Sequence, residues 1–199
     1  MNLAHWAGDP GDEYVKRQTL TRESRQAMFN RVLRWTGLLN SVIEFGASTG
    51  ENLMELLHLH SNNLSTTGVE INKQAREQMA EKTKGVVVDS SIQNFSSDRQ
   101  WDMSMTRGVL IHIPPFDLKL AYRTLYTTSR KYILIAEYYN PTPVMIPYRG
   151  QDNLLWKRDF AGEMMDRYPD LQLVAYGFVY RRDVLCPQDD VTWFLMEKK

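Results

Sequence analysis

The stretch that most constrains the fold is residues 41–57. It begins with the apolar run Ser41–Phe45, continues through a turn that holds Gly46 and Gly50, and leads into a leucine-rich segment. This pattern predicts a buried strand, a glycine turn and an amphipathic helix over residues 50–60. In an open α/β sheet, such a turn is the usual binding place of a nucleotide-like cofactor, because glycine lets the backbone approach a ligand closely.

The remaining sequence alternates predicted strands and helices and ends with two long strands. Six further strands are predicted, at residues 65–71, 85–89, 101–106, 130–138, 171–180 and 191–197. The main predicted helices begin at residues 21, 50, 72, 116 and 156, and the last of them extends to residue 168. This order predicts an α/β sandwich whose seven-stranded sheet is mostly parallel and ends in an antiparallel hairpin. The apolar segment 85–89 is expected to be buried on both faces.

The length of 199 residues suits a single domain. We divide it into an N-terminal arm and helix at residues 1–36 and an α/β core at residues 38–199. Residues 1–20 hold Trp6 and Tyr14 among acids and turn formers, with little helical period. They are predicted to form either an ordered arm that packs over the domain or a lid over the glycine turn, since aromatic-bearing loops often carry function.

Composition excludes several classes of protein. The 24 basic and 24 acidic side chains balance, which gives no electrostatic basis for a nucleic-acid or membrane-surface partner. The apolar runs are far too short to span a bilayer. Cys186 is the only cysteine, so intramolecular disulfides and multi-cysteine zinc sites are excluded and a reducing cytoplasm is expected. His58 and His60 are predicted to be surface residues without a metal, because residues two apart do not share a helix face.

Polar side chains end four neighbouring strands of the predicted sheet. The first strand carries Glu44, the second ends in Glu70, the third in Asp89, and the fourth in Thr106 and Arg107. A carboxylate at the end of the second strand, about 20 residues past the glycines, is placed to accept both hydroxyls of a ribose. An acid after the third strand suits the exocyclic amine of adenine. Together these residues predict an adenosine site.

The turn also discriminates among adenosine cofactors. A dinucleotide site needs three glycines in the pattern G-x-G-x-x-G, whereas this turn has Gly46 and Gly50 with Ser48 between them, and no P-loop lysine follows. Glu44 and Glu51 are acidic neighbours that match a ligand with an ammonium or sulfonium group. S-adenosylmethionine is therefore favoured over NAD. An NAD-dependent oxidoreductase and a non-catalytic binding protein remain the alternatives.

Two segments resemble a known family. Glu44–Gly50 resembles the E-x-G-x-G-x-G motif of class I S-adenosylmethionine-dependent methyltransferases, with serine in place of the middle glycine, and Gly108–Ile113 resembles their segment after the fourth strand. More narrowly, residues 6–14 and 157–171 resemble the methylases associated with pseudaminic acid biosynthesis. The resemblance implies a Rossmann-like methyltransferase fold and S-adenosylmethionine as the cofactor.

The resemblance also implies positions around the cofactor. It places Glu44 and Gly46 by the methionine part, Glu70 at the ribose, and Asp89 with Ser90 near the adenine. The full set of predicted cofactor-binding residues is Glu44, Gly46, Ala47, Gly50, Asn52, Glu70, Ile71, Asp89, Ser90, Thr106 and Arg107.

The acceptor side is predicted from the later loops. Methyl transfer is an in-line displacement that depends mainly on positioning, and a base is needed only if the acceptor holds a proton tightly. His112 is either that base or a core histidine bonded to backbone. Arginines grip acidic acceptors by bidentate pairing, unless they are simply solvated. The predicted catalytic residues are His112, Tyr139, Arg149 and Arg158, and the predicted acceptor is a small acidic metabolite, either a nonulosonic-acid sugar or an amino-acid-like carboxylate, with O-methylation favoured.

Overall fold

The computed structural model describes residues 3–16 (with side chains from residue 5), 20–148 and 150–199. The helices are α1 (Leu3–Ala7), α2 (Asp9–Val15), α3 (Arg22–Thr36), α4 (Glu51–Leu59), α5 (Lys73–Thr83), α6 (Leu118–Thr128) and α7 (Phe160–Arg167). The strands are β1 (Ser41–Phe45), β2 (Ser65–Glu70), β3 (Val86–Asp89), β4 (Trp101–Arg107), β5 (Ser129–Glu137), β6 (Val144–Met145), β7 (Trp156–Lys157), β8 (Leu171–Val179) and β9 (Val191–Lys198).

Seven strands form one sheet in the order β3-β2-β1-β4-β5-β9-β8. Strands β1 to β5 are parallel, and β9 pairs antiparallel with both β5 and β8. The predicted fold class is therefore confirmed. The chain order reverses between β1 and β4, and the carboxyl ends of strands at such a switch point are where open α/β sheets bind ligands.

The sheet is buried between two helical layers. All five residues of β1 are buried, and successive side chains point to opposite faces. Val42 packs into the cluster that includes residues of α3, α4 and α5, whereas Ile43 and Phe45 pack into the cluster that includes residues of α6 and α7. No helix of the described residues is long and apolar enough to cross a membrane.

Two predictions about burial are wrong. Strand β3 lies at the edge of the sheet, beside β2 alone, so Val86 is 53% exposed and the segment is not buried on both faces. His60 is buried rather than superficial: its Nε2 accepts from the N–H of Leu39 at 2.9 Å, and its Nδ1 donates to the carbonyl of Leu56 at 2.7 Å. These two bonds satisfy both ring nitrogens, which is what burial of a polar ring requires.

The local structure departs from the sequence pattern in two places. The predicted helix over 156–168 begins instead at Phe160, because the Asp159 carboxylate accepts from the N–H of Gly162 at 2.8 Å and caps it there. Strand β7 precedes this helix and pairs with β6, which lies between Pro143 and Pro147. The N-terminal arm forms helices α1 and α2 where little helical period was seen, because α2 is only seven residues long and carries Pro10 in its first turn.

Candidate functional site

Two adjoining cavities lie at the carboxyl ends of the central strands. The apolar cavity has walls that include Val69, Ile71 and Ile92. The polar cavity is lined by residues that include Arg25 and Asn52. The two cavities share four lining residues, which are Tyr14, Gly46, Ser48 and Arg107. The shared residues mark a junction, so one elongated ligand can extend through both cavities.

The turn after β1 forms the floor of this junction. Gly46 has φ +67°, and a Cβ there would lie 2.4 Å from Val109 Cγ2. Ser48 has φ +48°, so it adopts the left-handed conformation for which glycine is the usual residue. Its N–H donates to the Glu70 carboxylate at 2.8 Å, which helps to hold this conformation. Ser48 therefore keeps a glycine-like backbone at the position where the resembled motif has its middle glycine.

Glu70 is held rigidly at the end of β2. Its carboxylate accepts from the N–H groups of Ser48, Ile71 and Asn72, each at 2.8 Å. Burial raises the pKa of this carboxyl, and the three N–H groups act in the opposite direction. The side chain lines the apolar cavity beside Ile71.

Glu44 lies beneath the turn rather than in a cavity. Its side chain is 1% exposed, and its Oε1 accepts from Asn52 Nδ2 at 2.7 Å. Its Oε2 has no hydrogen-bond partner among the residues described. Burial raises its pKa to about 8. Because Asn52 lines the polar cavity, Glu44 reaches that cavity through Asn52.

Helices α1 and α2 form the roof of the apolar cavity. Trp6, Gly11 and Tyr14 line it, and the Trp6 ring lies 4.5 Å from the ring of His112. A Cβ on Gly11 would lie 2.0 Å from the carbonyl oxygen of Trp6, so the two helices pack as one unit. Asn72 donates to the Asp12 carboxylate at 2.7 Å, which ties this unit to the end of β2.

His112 lies on a short 3-10 turn, Leu110–His112. Its Nδ1 lies 2.7 Å from the carbonyl oxygen of Leu154, and since a carbonyl only accepts, Nδ1 carries the proton. Burial lowers the pKa of the ring to about 4, so the ring is neutral at physiological pH. The Glu137 carboxylate holds the turn by accepting from three of its N–H groups at 3.0 to 3.4 Å. Burial raises the pKa of Glu137 to about 7.

Arg107 is the cation at the junction. Its guanidinium donates to Gln188 Oε1 at 3.0 Å, and within the described part of the chain no carboxylate lies within the 4.0 Å of an ion pair. Burial lowers its pKa, while Tyr14 and Asp189 act in the opposite direction. The junction therefore holds a positive charge without a directly paired anion.

Most of the predicted site residues either line a cavity or lie buried beneath one. Those that line a cavity are Gly46, Ala47, Asn52, Glu70, Ile71, Ser90, Arg107 and His112. Glu44, Gly50 and Thr106 are buried below the cavities. Gly50 serves the packing of α4 on α5, since a Cβ there would lie 2.7 Å from Met79 Cγ.

Three other predicted residues lie outside both cavities. The Asp89 side chain is 68% exposed and pairs with Arg76 at 2.7 Å. Tyr139 is 40% exposed and packs on Phe194. Arg158 pairs with Glu163 at 2.7 Å. The fourth, Arg149, lies outside the described residues. In the described ranges no group of three or more His, Cys, Asp or Glu side chains could hold a metal ion.

Sequence reasoning missed Arg25 and Asp189, which line the polar cavity. Arg25 is buried and donates to the carbonyl of Leu20 at 2.5 Å. One signal could have found it: Arg25 lies three and four residues before Met28 and Phe29, so it shares their apolar face. A charged residue on an apolar helix face is rarely buried without a reason. Asp189 comes from the β8–β9 loop, and no motif marks it.

No protein-family model matches the sequence, and no curated protein sequence matches it significantly. Several solved structures share its fold. A Burkholderia thailandensis 1,6-didemethyltoxoflavin-N1-methyltransferase, with S-adenosylhomocysteine bound, aligns with 100% of this chain and 86% of its own at a TM-score of 0.74 and 13% identity. Magnesium protoporphyrin IX methyltransferase from Synechocystis PCC 6803, also with S-adenosylhomocysteine bound, aligns with 98% of this chain and 96% of its own, at a TM-score of 0.68 and 10% identity. A sugar N-methyltransferase from Streptoalloteichus sp. ATCC 53650 aligns with 96% of this chain and 94% of its own, at a TM-score of 0.69 and 13% identity. The chain therefore has the Rossmann-like methyltransferase fold.

Proposed function

We propose that the protein is an S-adenosylmethionine-dependent methyltransferase that acts on a small molecule. The observation that carries this proposal is the pair of joined cavities at the switch point of the sheet, with Glu70 fixed at the end of β2. The fold is that of proteins crystallised with S-adenosylhomocysteine, which supports the same ligand here.

The residues present fit the three parts of this cofactor. The apolar cavity suits adenine, and Glu70 offers a carboxylate for the ribose hydroxyls. The polar cavity carries both charges that an aminocarboxylate needs, from Arg25 and Glu51. Three buried side-chain atoms near it have no hydrogen-bond partner within the described residues: Arg25 Nε, Glu44 Oε2 and Asn52 Oδ1. Buried polar atoms without partners are rare in folded proteins, so their clustering here favours a polar ligand.

The bound cofactor supplies an electrophilic methyl group on a sulfonium. The protein's own contribution is to hold the acceptor in line with that group and to exclude water. Helices α1 and α2 would serve this purpose as a lid, since Trp6 and Tyr14 lie over the apolar cavity. Arg107 lines both cavities and would orient an acceptor that carries negative charge.

For the acceptor we propose a small acidic metabolite, either a nonulosonic-acid sugar or an amino-acid-like carboxylate, methylated on oxygen. Arg107 supports an acidic acceptor because it has no paired carboxylate within the described ranges. The resemblance of residues 6–14 and 157–171 to the methylases associated with pseudaminic acid biosynthesis supports a sugar acid. We place the reaction in the cytoplasm, in keeping with the single cysteine.

Calorimetry with S-adenosylmethionine, S-adenosylhomocysteine and NADH tests the cofactor. We expect binding of the first two only, and Glu70→Ala should weaken it by roughly 1–3 kcal/mol through lost charge-assisted hydrogen bonds. Glu77→Ala is the matched control, since Glu77 lies on α5 with a side chain that is mostly exposed. Absence of binding at millimolar S-adenosylhomocysteine, or binding of NADH instead, would refute the proposal.

A further inference from the structure

The junction of the two cavities places a hydrogen-bond donor beside a cation. Tyr14 and Arg107 each line both cavities, and the Tyr14 phenol interacts electrostatically with the Arg107 guanidinium. Burial raises the pKa of this phenol, so the phenol keeps its proton at neutral pH and can donate. A guanidinium beside a hydroxyl donor suits an anion, because charge-assisted bonds are stronger than neutral ones.

The groups nearest to the junction are poorly suited to act as a base. Glu70 and Glu137 each accept three backbone N–H groups. His112 donates from Nδ1 to Leu154, and burial, with a smaller effect of His5, lowers its pKa to about 4. A ring that weakly basic removes a proton from an alcohol or an ammonium group very slowly.

Two more carboxylates line the polar cavity. Glu51 is paired with Lys82 at 2.5 Å. Asp189 is exposed to solvent and interacts electrostatically with the cation Arg107. An acceptor with a protonated amine would also be repelled by the charge of Arg107. The acceptor group that needs neither a base nor a nearby anion is one that is already negatively charged.

We propose that the acceptor group is a carboxylate, which Arg107 and the phenol of Tyr14 orient and which takes the methyl group on oxygen. This inference rests on the proposed function and makes its O-methylation specific to a carboxyl group. A lone pair of the carboxylate oxygen forms the O–CH3 bond while the S–CH3 bond breaks and its electron pair stays on sulfur. The products are a methyl ester and neutral S-adenosylhomocysteine, and no proton is released.

The test uses S-adenosylmethionine labelled in the methyl group and the low-molecular-weight fraction of a bacterial extract, with glucuronic acid and N-acetylneuraminic acid as added single compounds. We expect label that mild alkali releases as volatile methanol, which is the signature of a methyl ester. The same extract, treated with carbodiimide and ammonia to convert carboxylates into amides, should accept no label. Base-stable label, or label that persists after amidation, would overturn the inference and leave the methyltransferase standing.

A binding measurement with S-adenosylhomocysteine distinguishes failure of the proposed function from failure of the carboxylate inference. If S-adenosylhomocysteine does not bind, the proposed function itself fails. If it binds but no compound in the intact extract receives label, the carboxylate acceptor is overturned while the cofactor assignment survives.

Variants of Arg107 test whether this residue binds the carboxylate of the acceptor. Arg107→Gln and Arg107→Lys should raise the KM of the labelled acceptor about 10- to 100-fold, which corresponds to one lost charge-assisted interaction. The dissociation constant of S-adenosylhomocysteine should change less than threefold. Arg34→Gln, in an exposed position of α3, is the control. An unchanged KM in folded Arg107 variants would overturn the assignment of this residue.

The pH profile of kcat tests the absence of a base. It should be flat from pH 6 to pH 9, both in the wild type and in Asp189→Asn. A tenfold rise in kcat per pH unit within this range, lost in Asp189→Asn or in His112→Asn, would identify a base and overturn the inference.

Discussion

The carboxyl group of Glu44 should make the stability of the protein depend on pH. It is buried beneath the turn, and its one hydrogen bond from a described residue comes from Asn52. Burial raises its pKa from 4.5 to about 8, against the smaller opposing effects of Asn52, Arg107 and Arg25, while Glu70 adds to the rise. Between these two pH values the folded protein holds a proton that the unfolded chain has lost, so stability falls as the pH rises.

The magnitude follows from the same two values. One pKa unit corresponds to about 1.36 kcal/mol, and integration from pH 5 to pH 8 gives a loss of roughly 3.5 kcal/mol from this group. Glu44→Gln removes the titration but keeps an oxygen that can accept from Asn52. The free energy of unfolding of the variant, relative to that of the wild type, should therefore increase by about this amount from pH 5 to pH 8. The gain is large beside the 5–15 kcal/mol that stabilises a typical domain.

Urea unfolding at pH 5, 6, 7 and 8 and constant ionic strength measures the effect. The quantity to compare is the difference in unfolding free energy between Glu44→Gln and the wild type, because Glu137 also titrates in this range and cancels in the difference. Glu77→Gln, an exposed glutamate on α5, should run parallel to the wild type at every pH. Parallel curves for Glu44→Gln and the wild type would refute the reasoning.

Two further variants test the turn and the roof of the cavities. Ser48→Gly should keep the affinity for S-adenosylhomocysteine within about threefold, whereas Ser48→Val should lower it more than tenfold, because a β-branched residue is strained at a positive φ; equal affinities in calorimetry would contradict this. Trp6→Ala should weaken binding about tenfold by removing an aromatic wall of the apolar cavity. The melting temperature should fall by only a few degrees, and unchanged affinity would mean that α1 and α2 pack beside the ligand without covering it.

The fold was predictable because it depends on local patterns. The run Ser41–Phe45 has the burial expected of a central strand, and its boundaries agree with the prediction. The edge position of β3 was not predictable from the segment itself, since Val86–Val88 are apolar in either position and only the order of the strands exposes them. The burial of His60 likewise depends on the backbone N–H of Leu39, which is 21 residues away in the sequence.

The site was predictable where a motif fixes the backbone and less so elsewhere. Gly46 and Glu70 line the cavities because each follows directly from the end of a strand. Tyr139 lies outside both cavities, 40% exposed and packed on Phe194, and its sequence position alone does not indicate this side-chain direction. The sequence leaves two alternatives for Arg158, a grip on an acidic acceptor or the balancing of a local acid, and in the structure it pairs with Glu163, five residues later.

The cost in stability at Glu44 and the chemistry of the polar cavity have a common origin. A buried polar atom without a partner destabilises the folded state, and Arg25 Nε, Glu44 Oε2 and Asn52 Oδ1 are three such atoms among the described residues. A ligand with an ammonium and a carboxylate group offers partners that the fold lacks there. Because a ligand that binds only the folded state stabilises it by about 2.7 kcal/mol at 100 times its dissociation constant, S-adenosylhomocysteine should offset much of the loss at pH 8. The offset should be smaller in Glu44→Gln, because that variant has no buried charge for the ligand's ammonium group to compensate.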